Sequence, residues 1–95
     1  MTSKQRAALR GMANTIDAIV HVGKSGVVAA LIRQTDDALT ARELIKGKLL
    51  ETAPAPVKEV AQQLAEATGA DVVQVIGRTF VLYRRNPKKQ DGIRI

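Results

Sequence analysis

The chain has 95 residues, 45% of them hydrophobic, a net charge of +6 and no cysteine, with Phe80 and Tyr83 as its only aromatic residues. That length makes one domain with a small core built from Val, Ile, Leu and Ala; the lack of cysteine excludes a disulfide framework or thiolate metal site, and the single His21 excludes a His-rich zinc site. No charged start leads into an apolar block and no run approaches the ~20 apolar residues of a membrane span, so the expectation is a cytoplasmic protein without membrane contact, metal or cofactor.

Thr2-Ser3-Lys4-Gln5 reads as a capping box opening a helix that runs to about Ala13, with Leu9 and Met12 on its apolar side and Lys4, Arg6 and Arg10 leaving the rest basic. Residues 18–22, Ala-Ile-Val-His-Val, are β-branched and read as a strand ended by Gly23. From Gly26 onward, Val28, Leu31, Ile32, Thr35 and Leu39 recur at helical spacing, opposite Arg33, Gln34, Asp36 and Asp37. "ELIKGKLL" (43–50) is a second strand with Ile45, Gly47 and Leu49 on one face and Leu44, Lys46 and Lys48 on the other; a glycine inside it weakens it. "TAPAP" is a loop, Pro56 suits the first turn of a third helix, and Val57, Val60, Ala61 and Leu64 make its buried stripe up to Gly69. "DVVQVIGRTFVLYRR" gives two apolar strands around Gly77-Arg78, a type II′ hairpin. The reading is an α/β (α+β) domain over residues 1–86, ordered α-β-α-β-α-β-β with a mixed four-stranded sheet packed by helices, and a basic tail over 87–95 that is either mobile or docked through its final Ile-Arg-Ile.

Charge is unevenly spread along this order. Lys4, Arg6, Arg10 and Lys24 against Asp17 give residues 1–26 a net +3; six basic residues against Asp91 give 72–95 a net +5; five basic against seven acidic leave 27–71 at −2. Basic ends are the footprint of a polyanionic partner, with a basic surface kept for solubility as the alternative. Between the first strand and the second helix lies "HVGKSGVV" (21–28), which raises two possibilities. A nucleotide-binding P-loop needs Gly-x-x-x-x-Gly-Lys-Ser/Thr, but the first glycine would fall on Ala18, and a β-branched strand fills the space where a phosphate-wrapping loop belongs. Gly23-Lys24-Ser25-Gly26 instead fits a Gly-x-x-Gly loop, in which the glycines let the backbone approach a phosphate, the following helix start favours an anion, and Lys24 supplies a mobile charge. A plain tight strand-to-helix turn has the same spacing. KH domains carry such a loop between two helices; here a strand runs straight into Gly23, so this is not a KH domain.

"VHVGKSGVVAAL", "RELIKGKLL" and "AEATGADVVQVIGRTFVLYRR" together resemble the CRM domain (chloroplast RNA splicing and ribosome maturation), in its single-domain bacterial, YhbY-like form, over roughly residues 2–85. The resemblance implies a fold like the C-terminal domain of translation initiation factor three, an RNA-contacting Gly-x-x-Gly loop, and association with precursors of the large ribosomal subunit. By position the loop is Gly23, Lys24, Ser25 and Gly26, with the basic first helix beside it, and Arg78 and Arg84 fall on family positions, as contacts or in a partly structural role. The chain departs from the family at Asp17-Ala18, where a proline usually precedes the first strand, and at Gly47, where an aliphatic residue is usual.

Catalysis finds no support. Asp36 and Asp37 are adjacent on a helix and point apart, and His21 has no evident nucleophile; it reads as a structural strand residue or, two residues before Gly23, as an RNA contact. Two aromatics at odd spacing also exclude base stacking on a sheet of the RRM kind. The expectation is therefore a monomeric RNA-binding protein, not an enzyme, that meets phosphates, sugars and shape in structured ribosomal RNA. Gly23, Lys24, Ser25, Gly26, Lys4, Arg6, Arg10, His21, Arg78 and Arg84 are its candidate contacts, with Lys46 and Lys48 as an extension or a solvated face. The competing expectation is an adaptor on ribosomal particles whose basic ends meet an acidic protein.

Overall fold

The computed structural model describes all of residues 1–95. Thr2 caps α1 (Ser3–Ala13): its hydroxyl accepts from the Gln5 amide at 3.1 Å, and the Gln5 side chain accepts from the Thr2 amide at 2.9 Å. This reciprocal box satisfies donors that a helix start otherwise leaves open. Next come β1 (Ala18–Val22), α2 (Ala29–Arg42), β2 (Leu44–Leu49), α3 (Val57–Thr68), β3 (Asp71–Ile76) and β4 (Thr79–Tyr83). The order and the mixed four-stranded sheet are those read from the sequence. Gly69 ends α3 at φ +71, and Gly77 at φ +57 with no positive φ at Arg78 fits the expected type II′ hairpin better than I′.

The sheet order is β1-β2-β4-β3. β1 and β2 are parallel, as a helical crossover requires, and β4 inserts antiparallel between β2 and β3. Both outer strands carry an irregularity in register, at 18–20 in β1 and at 72–74 in β3. One face holds Val20, Val22, Ile45, Leu49, Phe80 and Leu82 under α2 and α3, whose Leu31, Leu39, Val60 and Leu64 complete the larger cluster. On the other face Leu44, Val73, Val81 and Tyr83 meet Leu9 and Ala13 of α1. Helices on both faces explain why the hairpin strands are apolar on both sides.

Several positions differ from their sequence reading. Met12 is 39% exposed, and Ala13, four residues after Leu9, takes the buried place on α1. Helix α2 begins at Ala29, with Val28 as an exposed cap. Gly47 answers a packing demand within β2. It pairs with Phe80 across the sheet, and a Cβ there would overlap the Phe80 ring, so the ring packs on bare backbone. The tail is tied down: the buried Glu43 carboxylate accepts from the Asn86 and Ile93 amides at 2.8 Å each, and Ile93 packs on the α1-side cluster. No helix is long and apolar enough to cross a membrane.

Candidate nucleic-acid interface

Gly23, Lys24, Ser25 and Gly26 form one tight turn at the C-terminal end of β1, closed by the Gly26 amide donating to the Gly23 carbonyl at 3.0 Å. The turn lifts Lys24 and Ser25 into solvent. Gly26 is buried at φ +66, where a side chain is strained, and a Cβ there would come 3.1 Å from Pro54. Gly23 has no such requirement, since a Cβ would meet Leu50 and Thr52 at ordinary distances of 3.7 and 3.8 Å. The loop at 50–56 thus braces the turn, pinned by the Leu50 amide donating to the Val22 carbonyl at 2.8 Å. Three residues beyond Gly26, α2 starts without a side-chain cap and without an acidic residue in its first turn. Its amides remain available and its positive dipole end is uncompensated, an arrangement that favours an anion.

Beside this turn the sheet has a bare area. Helix α1 ends at Ala13, and beyond it the α1-side face is uncovered. Register places Ile76, Thr79, Lys48 and His21 in one row across all four strands there, one residue short of the Val22–Leu49 pair that leads into the turn. Lys46 stands in the next row back, opposite Val81. His21 and Lys48 are exposed, and the fold's three ion pairs, Arg78–Glu51, Arg84–Asp36 and Lys89–Asp91, leave Lys24, Lys46 and Lys48 without an acidic partner. The lysines that looked like a solvated strand face therefore adjoin the turn. The alternation in "LIKGKL" was their signal, and only the sheet order shows what they border.

The other expected contacts divide. Lys4 and Arg10 are exposed on α1, which packs on this same face of the sheet. Arg78 sits in the β3–β4 turn at the loop end, where its carbonyl accepts from Leu49 at 2.7 Å and its side chain makes an exposed pair with Glu51 at 3.4 Å. Such a pair contributes at most about 1 kcal/mol and leaves the guanidinium recruitable. Arg6 is instead engaged in the fold, donating to the Val72 and Val73 carbonyls at the irregularity in β3. Arg84 is also engaged and lies at the opposite end of the sheet. It donates to Asp36 Oδ1 at 2.5 Å, the Thr68 carbonyl at 2.7 Å, the Asp36 carbonyl at 3.0 Å and Thr40 Oγ1 at 2.8 Å.

The architecture is that of a small α/β domain with helices on both faces of its sheet and a glycine-flanked turn at one end. The model of the CRS1/YhbY (CRM) domain matches residues 1–84, and the chain belongs to that family. It is 38% identical to the "Probable RNA-binding protein YqeI" of Bacillus subtilis over 90 residues, 95% of this chain and 94% of the relative. It is 30% identical to the "RNA-binding protein" of Haemophilus influenzae over 84 residues, 88% of this chain and 85% of that one. The solution structure of the hypothetical protein SAV1595 from Staphylococcus aureus superposes with a TM-score of 0.81 at 41% identity, covering 98% of this chain and 97% of the other.

Proposed function

We propose that this protein is an RNA-binding, non-enzymatic factor that acts as a monomer on structured ribosomal RNA in precursors of the large subunit, with Gly23-Lys24-Ser25-Gly26 as its backbone grip. The observation that carries the reading is the turn itself: Lys24 and Ser25 project from a rigidly braced loop, beside unpaired Lys48 and an uncapped helix start. Cationic and amide donors in that grouping match a phosphodiester backbone, whose contacts fix position rather than sequence. Lys4 and Arg10 extend the field along α1. The names of the bacterial relatives support RNA as the partner.

Binding to large-subunit ribosomal RNA across a salt series tests this. Log affinity is expected to fall linearly with log salt, with about one unit of slope per phosphate neutralised. Lys24→Asp with Ser25→Asp should abolish binding while leaving the circular dichroism spectrum and melting transition in place, because both side chains are exposed. Equal binding by the variant overturns the role of the turn. Co-purification with ribosomal particles that persists after complete RNA digestion overturns direct RNA contact and makes the protein an adaptor.

A further inference from the structure

Where α1 stops short on the sheet it leaves a cavity of about 140 Å³ between the helix end and strands β2, β4 and β3. Ala13 and Val81 form an apolar floor, Ile76, 60% exposed, stands at one side, and Asn14, Lys46 and Gln74 supply polar groups around it. Lys46 and Gln74 are half-buried, so ordering them costs free energy that contacts within the fold should offset. Neither is spent there: Lys46 has no ion pair, and no side-chain hydrogen bond engages Lys46, Gln74 or the Asn14 amide, although all can reach solvent. In the rest of the fold the partly buried polar side chains Arg6, Arg84 and Asn86 are all engaged.

We propose that this cavity takes one unstacked purine base of the bound RNA. A volume of about 140 Å³ lies well below the roughly 300–1,000 Å³ of a cofactor or drug-sized site, which suits a single ring system. An apolar floor suits a base face, whereas a phosphate would be left unsolvated on it. The rim fits a purine edge: ammonium groups pair with adjacent purine acceptors, and a carboxamide pairs with an adjacent donor and acceptor. Register puts the cavity row, Gln74–Val81–Lys46, two residues behind the Ile76–Thr79–Lys48–His21 row in β2 and β4. From β3 to the end of β1 is three strand spacings, about 14 Å, so a strand gripped at the turn can lay a nucleotide a few positions along over the cavity. The inference rests on the RNA reading above and adds to it a base-specific subsite.

The test uses the full chain and two single-stranded probes, a nonauridylate and the same oligonucleotide with one central adenosine. Wild type should bind the adenosine probe about tenfold more tightly, the scale of one good base contact. Gln74→Leu should erase that difference while leaving nonauridylate affinity and salt slope unchanged, and Lys24→Asp with Ser25→Asp should weaken both probes alike. In the wild-type protein the Gln74 side-chain amide resonances should shift with the adenosine probe and not with nonauridylate, a readout independent of how the variant folds. Equal affinities for the two probes, or purine-dependent shifts confined to the turn, overturn the cavity and leave the backbone grip intact. Failure of both probes and of ribosomal RNA to bind at low salt overturns the RNA reading and the cavity with it.

Discussion

Gly23 and Gly26 bracket one turn under different constraints. Gly26 needs its positive φ and its clearance from Pro54, whereas Gly23 has room for a methyl group at ordinary contact distance. Gly26→Ala should therefore lower unfolding free energy by about 1–2 kcal/mol, the cost of a left-handed residue with a side chain, and Gly23→Ala should stay within about 0.5 kcal/mol, both read from urea melts. A stable Gly23→Ala protein that binds RNA poorly would show that the glycine serves the partner's approach; loss of stability equal to that of Gly26→Ala would contradict the geometry. The turn was legible in the sequence because its residues are contiguous. The demand on Gly47 was not, because the ring that requires it belongs to a strand formed much later in the chain. The engagement of Arg6 was hidden for the same reason, and a structural role for Arg84 was an option without named partners: their acceptors are mostly backbone carbonyls, which every residue carries and no pattern marks.

Elements with a strong local signal fell where the pattern placed them: the capping box at Thr2, the strand over 18–22, the glycine stop after α3. The start of α2 did not, since two β-branched valines follow Gly26 and the chain extends through them before it coils. The docking of the tail was legible only as an option, because its anchor is a single side chain at the end of α2. Glu43 closes that helix at φ +64, feeds its carbonyl to the Arg84 amide at 2.9 Å, and holds Asn86 and Ile93 with its carboxylate. Gly92 passes so close that a Cβ would strike Glu43 Oε1. Glu43→Ala leaves two amides unpaired at a half-buried site and should cost about 1–3 kcal/mol, with amide hydrogen exchange at Asn86 and Ile93 accelerating first. Unchanged protection at both amides would mean that apolar packing of Ile93 alone secures the tail.

For the molecule as a whole, two apolar clusters on opposite faces of one sheet should unfold together, since β2 and β4 contribute to both. Its tolerance of pH has an upper limit set by Tyr83. Burial raises the phenol above its ordinary value of 10.0; the Glu43 carboxylate and, more weakly, Asp71 push the same way, against Arg85. A group with a raised folded pKa contributes stability that is full below its unfolded value and lost as pH rises through the folded one. Stability should thus hold to about pH 10 and fall beyond it, and Tyr83→Phe should flatten that decline in urea melts taken from pH 8 to 12. Asp91, lowered by its hydrogen bond from Lys89, has the opposite sign, favouring the fold until acid protonates it; it is fully exposed and its effect is small.

The two outer strands share a construction that bears on how such a basic protein behaves when many copies crowd along one nucleic acid. An open strand edge offers unpaired amides and carbonyls as a template for a neighbouring chain. Here both edges are kinked out of regular pairing, and each has a helix side chain seated on its backbone: Arg6 from α1 on Val72 and Val73, and Gln34 from α2 on the Ile19 carbonyl at 3.4 Å. Arg6 thereby also brings a fixed positive charge to one rim, where an identical rim is repelled. Both edges are thus built against zipping into a continuous sheet, even where a shared polyanion would concentrate many copies.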